Sequence, residues 1–99
     1  MRQDVLERLV AANIQILPVS VGPRHVVFER GGFVALVERK EDALGSIGSA
    51  GMLTDNGFAP LVWKDGRPLF VAKNFEQPAT ADDVQRLRAF QDDLQIALR

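Results

Sequence analysis

Residues 25–39 read His25-Val26-Val27-Phe28-Glu29-Arg30-Gly31-Gly32-Phe33-Val34-Ala35-Leu36-Val37-Glu38-Arg39, and this stretch decides the fold. Two runs rich in β-branched and aromatic residues flank Gly31-Gly32. Glycines supply the positive φ angles that a tight hairpin turn requires. A two-residue loop also fixes the register, so that Arg30 faces Phe33 across it. The sequence therefore predicts an antiparallel hairpin.

The two faces of this hairpin differ in composition. Alternation along the strands gives one face five apolar side chains, from Val26, Phe28, Phe33, Ala35 and Val37. The other face is half apolar and carries His25, Val27, Glu29, Val34, Leu36 and Glu38. The first face is predicted to be core. We expect a helix end or a second subunit to cover part of the second face.

A second hairpin is predicted over residues 58–74, because Asp65-Gly66 is a strong signal for a two-residue turn. Its register places Leu61 opposite Phe70 and Trp63 opposite Pro68. Large aromatic side chains are enriched at the energetic centres of interfaces. We therefore take Leu61, Trp63 and Phe70 as candidate interface residues, with packing in the core as the alternative for Trp63.

The remaining segments complete a single α+β domain spanning residues 1–99. A helix is predicted from Asp4 to Ala12, followed by extended chain through Val19 and Val21 to a turn at Gly22-Pro23. Acidic residues and apolar positions three to four apart indicate a weak helix over Glu41–Thr54. Thr80 caps a last helix with an apolar stripe. The predicted order is α-β-β-β-α-β-β-α, with about five mainly antiparallel strands in two hairpin units.

The composition excludes several kinds of chemistry. The 99 residues include no cysteine and one histidine, so thiol catalysis, thiolate zinc sites and multi-histidine metal sites are absent. With 12 basic and 13 acidic side chains, the chain lacks the positive charge typical of nucleic-acid binding. No apolar run approaches the ~18 residues of a membrane span. We predict a cytoplasmic protein with no catalytic residues, metal, cofactor, nucleic-acid partner or membrane partner.

The glycine-serine segment Gly45–Gly51 is the strongest candidate for a ligand site. Small residues let backbone N–H groups approach an anion, so Gly45, Ser46, Gly48 and Ser49 are candidate ligand-binding residues. The segment matches neither the dinucleotide fingerprint nor the phosphate-binding loop. Close packing of a helix on the sheet, or a flexible connection, is the alternative interpretation.

The predicted order of elements is similar to that of the type III secretion chaperones, which are dimeric binding proteins. This similarity concerns topology, and it transfers no site residue. The leading hypothesis is a small non-catalytic interaction or regulatory protein, homodimeric or bound to another protein. A chaperone-like protein binder is one alternative. The other is a small-ligand-binding protein or enzyme that uses the Gly45–Gly51 segment.

Overall fold

The computed structural model describes residues 3–18, 24–40, 43–55 and 57–99. In this part of the chain, two helices flank a seven-stranded antiparallel sheet whose strands pair in sequence order, β1-β2-β3-β4-β5-β6-β7. The elements are α1 Gln3–Ala11, β1 Gln15–Leu17, β2 His25–Arg30, β3 Phe33–Lys40, β4 Ala43–Thr54, β5 Gly57–Lys64, β6 Arg67–Ala72, β7 Phe75–Pro78 and α2 Ala81–Ala97. The predicted Val19, Val21 and Gly22-Pro23 lie outside the described residues.

Both predicted hairpins are confirmed in register. In β2 and β3, Arg30 pairs with Phe33 across Gly31 and Gly32, whose φ angles are 62° and 91°. In β5 and β6, Trp63 pairs with Pro68, and Leu61 pairs with Phe70. All five side chains predicted for the core face of the first hairpin are buried. In each case the two-residue turn sets the pairing.

The predicted helix over Glu41–Thr54 is wrong, because residues 43–54 form the long strand β4. Residues 41 and 42 lie outside the described residues. Two register shifts interrupt the pairing of β3 with β4, and each adds one residue on β4. The side chains of β4 that pack against the core consequently come from Leu44, Ile47, Ala50 and Met52, at spacings of three, three and two. Apolar residues that recur every three or four positions are also typical of one face of an amphipathic helix.

The predicted fold class is corrected accordingly. The sheet has seven strands instead of five, and the order is α-β7-α instead of α-β-β-β-α-β-β-α. The seventh strand arises because Lys73 and Asn74 form another tight turn, with Asn74 at a φ of 60°. The similarity to type III secretion chaperones depended on the middle helix and is lost with it.

The sheet curls around α2. The rings of Phe33 on β3 and Phe70 on β6 lie 6.2 Å apart between centroids. These strands are three positions apart, which in a flat sheet would separate them by about 14 Å. The strand β5 accommodates the curvature because its first half pairs with β4 and its second half with β6. The inner face therefore forms a trough for the helix.

The core lies between this inner face and the two helices. From α2, the buried side chains are Leu87, Phe90, Leu94 and Ala97, and from α1 they are Val5 and Leu9. They form one cluster with Phe28, Phe70 and the other inner-face residues. Both helices consequently cover the same face of the sheet.

Two arginines connect the helices to each other and to the sheet. The Arg8 guanidinium on α1 donates to the carbonyl oxygens of Ala97 (3.0 Å) and Arg99 (2.6 Å), at the end of α2. Arg30 on β2 donates to the Ala12 carbonyl oxygen (3.0 Å) and to the Asp93 carboxylate (2.8 Å). Because their partners lie far away in sequence, these bonds fix how the helices sit in the trough.

Candidate functional site

The outer face of the sheet is the face turned away from both helices. Here, "outer face" means the side chains that alternate with the core-facing ones on β1 to β7. Its apolar members are Leu17, Val27, Val34, Leu36, Leu53, Phe58, Pro60, Val62, Leu69 and Val71. Antiparallel sheets with one solvated face normally show a polar outer side. This one is largely apolar across all its central strands.

The apolar side chains of this outer face differ in how deeply they are buried. Val27 and Val34 are buried, although they do not belong to the core cluster that the helices join. Gly51 lies between Val34 and Pro60 in the pairing, and is also buried. Leu53 and Val62 remain 45% and 38% exposed. The buried apolar side chains of the outer face thus lie on β2 and β3, and its most exposed ones lie on β4 and β5.

The outer face carries charged side chains on both sides of β4, including the acidic Glu76 on β7, which pairs with Val71. Glu29 and Glu38 lie on β2 and β3, whereas Lys64 and Arg67 lie directly opposite each other on β5 and β6. The Glu29 carboxylate accepts hydrogen bonds from the Gln15 side chain and the Gly32 backbone N–H. Within the described residues, no salt bridge engages Glu38, Lys64 or Arg67. Like charges directly opposite in a sheet repel one another.

The candidate interface residues lie on the inner side of β5 and β6. Phe70 is completely buried in the core, and Leu61 is half-buried against it. Trp63 is 55% exposed near the tip of the hairpin. Of the three, Trp63 alone offers substantial surface to a partner.

The candidate ligand residues lie along the bulged half of β4. Gly45 and Ser46 line a cleft of about 710 Å³ between this half of β4 and the C-terminal half of α2. Gly48 and Ser49 do not line it. A Cβ atom added at Gly45 would lie 3.3 Å from the Glu38 carbonyl oxygen and 3.6 Å from Cε of Lys40. The absence of a side chain at Gly45 therefore lets the Lys40 stem lie across the strand.

The lining of this cleft is mixed in character. Charged groups come from Lys40, Asp92 and Arg99, and amides from Gln91 and Gln95, while Leu44, Ile47 and Leu98 supply apolar surface. Two cations and one anion leave the cleft with a small positive charge. This arrangement can bind a small anion with an apolar part by charge and contact, but it presents no nucleophile beside a base.

The described residues contain no group of three or more histidine or acidic side chains that could hold a metal ion. His25 is exposed on β2 and pairs with Glu38 across the strands, as the register predicts. None of the helices in these parts of the chain is long and apolar enough to cross a membrane. No catalytic centre emerges from the described side chains.

Comparison with known proteins adds no relative: no protein family, no curated protein and no solved structure matches the chain.

Several outer-face residues were missed by sequence reasoning. The predicted helix over Glu41–Thr54 includes Leu53, and the predicted second hairpin includes Phe58 and Val62 without naming them as candidate site residues. The sequence does carry a signal for them, because residues 58–63 are all apolar. Phe58, Pro60 and Val62 therefore make one face of the strand apolar, while Leu61 and Trp63 do the same for the other face.

Proposed function

We propose that the protein is a non-catalytic interaction domain that binds another protein surface through the outer face of its sheet. The observation that carries this proposal is the apolar outer face, which neither helix covers. Leu53 and Val62 leave it with exposed apolar surface beside the buried Val27 and Val34. Contiguous apolar surface of this kind marks interaction sites in soluble proteins.

The energetics favour a partner over solvent. Complete burial of a leucine or valine side chain stabilises by about 1.5 to 3 kcal/mol. In the isolated chain Leu53 and Val62 are partly exposed, so part of this free energy is still available to a partner. The half-buried Leu36, Phe58 and Leu69 add to it. A partner that covers these side chains gains this free energy without any charged side chain having to leave water at the centre of the outer face.

Site-specific photo-crosslinking tests this proposal. A benzophenone side chain is placed at position 62 on the outer face, and at position 96 as a matched control. Ile96 is 56% exposed on α2, so it is an apolar surface position away from the sheet. We expect position 62 to form a covalent product with a protein in cells, and position 96 to form none. Equal or absent crosslinking at both positions would contradict the proposal.

The cleft beside β4 supports a second candidate function, the binding of a small anion. Its support is that Lys40 and Arg99 line one cleft together with Ser46 and the apolar side chains of Leu44 and Leu98. Pockets of several hundred Å³ with a few polar groups are typical of small-molecule sites. Of the two cations, we choose Lys40 for the test, because its stem lies against Gly45, which also lines the cleft.

A further inference from the structure

We propose that an extended acidic peptide binds as an additional strand along the free edge of β4 and directs its acidic side chains into the cleft beside α2. By the free edge we mean the side of residues 44–49 that is turned away from β3. The site is separate from the outer face. The proposal rests on the anion binding proposed above for the cleft, and it adds the class of ligand.

The first half of β4 lacks a neighbouring strand on one side. β5 pairs with β4 only at residues 51–54, and from Leu61 onward it pairs with β6 instead. Within the described residues, no strand pairs with residues 43–49 on the side away from β3. Residues 44–49 also contain no proline and no charged side chain, which are two common protections of a sheet edge. The sheet is thus split between β4 and the second half of β5, and the split exposes the free edge.

Backbone groups of β4 point into this split. The Leu36 and Glu38 carbonyl oxygens of β3 face β4, since each lies 3.3 Å from the position of a Cβ atom added at a glycine of β4. Leu44 and Ile47 pair with the alternate residues of β3, and neighbouring pairs in an antiparallel ladder direct their backbone groups to opposite sides. The N–H and C=O groups of Leu44 and Ile47 are therefore directed away from β3, where another strand can bond them.

The bulges leave the free edge with the repeat of an ordinary strand. Leu44 and Ile47 lie three residues apart, but their partners Arg39 and Val37 on β3 lie two apart. A regular peptide strand can therefore bond both residues from positions i and i+2. Side chains directly opposite each other in a sheet share a face. Both Leu44 and Ile47 line the cleft, so the side chains at positions i and i+2 are directed toward it.

The charges of the cleft favour acidic side chains at those two positions. Lys40 and Arg99 supply two cations, and Asp92 supplies one anion. The Lys40 stem lies against Gly45, which brings this cation beside the free edge. Within the described residues, neither Lys40 nor Arg99 has a salt-bridge partner. A glutamate or aspartate side chain therefore gains more from the cleft than a lysine does, while main-chain hydrogen bonds supply affinity that does not depend on sequence.

The position of the free edge favours a single peptide over the edge of another sheet. The β5–β6 hairpin continues on the far side of the split. A strand that belongs to a second sheet would bring its own neighbouring strand into the space that this hairpin occupies. A single extended chain carries no such neighbour, so it fits the split.

Peptide titration followed by nuclear magnetic resonance tests the proposal. The probe is an acetylated and amidated peptide in which three glutamates alternate with two valines. We expect it to bind with a dissociation constant below about 1 mM and to slow hydrogen exchange of the Leu44 and Ile47 amides at least about tenfold. The same peptide with N-methylated glutamates should bind at least about tenfold more weakly, because those amides face β4. Methylation of the valine amides, which face away from β4, is the matched control and should change the affinity less than about threefold.

A charge reversal tests the role of the cleft. Lys40→Glu should weaken binding of the glutamate peptide at least about tenfold, and should strengthen binding of a peptide in which lysine replaces glutamate. Lys73→Glu makes the same change in the exposed turn between β6 and β7 and should leave both affinities unchanged. Circular dichroism confirms that each variant is folded. If Lys40→Glu does not fold, the methylated and lysine peptides still decide the question on the wild-type chain.

The outcomes separate strand addition from anion binding. If the peptide with methylated glutamates binds as tightly as the unmethylated one, strand addition is overturned while anion binding in the cleft stands. If the lysine and glutamate peptides bind the wild-type chain equally, the acidic class of ligand is overturned. If no peptide binds, the proposal is overturned, and anion binding stands only if a small anion stabilises the chain in a thermal shift.

Discussion

The substitution Gly51→Ala should be strongly destabilising, because β5 passes too close to β4 at this residue for a side chain to fit. An added Cβ would lie 2.1 Å from the Ala59 carbonyl oxygen and 2.6 Å from Cα of Pro60. Both atoms belong to backbone, which cannot rotate away as a side chain would. Relief of the contact requires the strands to separate where Gly51 pairs with Pro60.

The size of the effect follows from two opposing terms. Forcing an extra methyl group into packed surroundings costs about 1 to 3 kcal/mol, and rigid backbone neighbours place this site at the upper end. Alanine also restricts the unfolded chain, which offsets about 0.4 to 1 kcal/mol. We expect a net loss of about 2 to 2.6 kcal/mol, which lowers the melting temperature by about 8 to 21 °C for a domain of this size.

Urea denaturation, with thermal unfolding as a second measurement, checks this expectation. Gly48→Ala is the matched control, because a Cβ there would meet only the Leu36 carbonyl oxygen, at 3.3 Å. We expect that variant to lose less than about 1 kcal/mol, since a shift of a few tenths of an ångström relieves the contact. If Gly51→Ala proves as stable as the wild type, the close approach of β4 and β5 is refuted.

The remaining predictions concern the helices and the cleft. In urea denaturation, Arg30→Ala should lower the unfolding free energy by about 2 kcal/mol, because it removes hydrogen bonds to Ala12 and Asp93. Arg30→Lys should recover less than half of this lost free energy. Thr80→Ala removes one half of the capping box on α2 and should cost about 1 kcal/mol in the same assay; an unchanged midpoint would show that the cap is dispensable. Thermal-shift screening with phosphate, nucleotides and acyl compounds tests the cleft: a stabiliser should lose its effect in Lys40→Ala, and a clean null would remove the ligand hypothesis.

The hairpins could be predicted to the residue because their turns carry the information. At Gly31-Gly32 and Asp65-Gly66, a two-residue loop with positive φ angles leaves one register for the flanking strands. The alternation of apolar residues then identified the core face of the first hairpin correctly. Local sequence was sufficient wherever the turn was tight and its residues were typical of one turn type.

Strand β4 could not be predicted in the same way. Each bulge adds a residue, so core contacts recur after three residues at Leu44, Ile47 and Ala50, as they would on a helix. The bulges depend on pairing with β3, which a local pattern does not record. The candidate ligand residues Gly45 and Ser46 were chosen for their small size, and the structure places them at the cleft. Gly48 and Ser49 are exposed and lie outside it.

The hydrogen bonds from Arg8 on α1 to the end of α2 have a consequence for the order of folding. Each strand pairs with its neighbour in sequence, so the sheet can grow by successive hairpins with short loops to close. The Arg8 side chain, by contrast, reaches carbonyl groups 89 and 91 residues away in the chain. Because closing so long a loop is costly, we expect α1 to dock onto the end of α2 after the sheet has formed. Weakening that contact should accelerate unfolding while leaving the folding rate nearly unchanged.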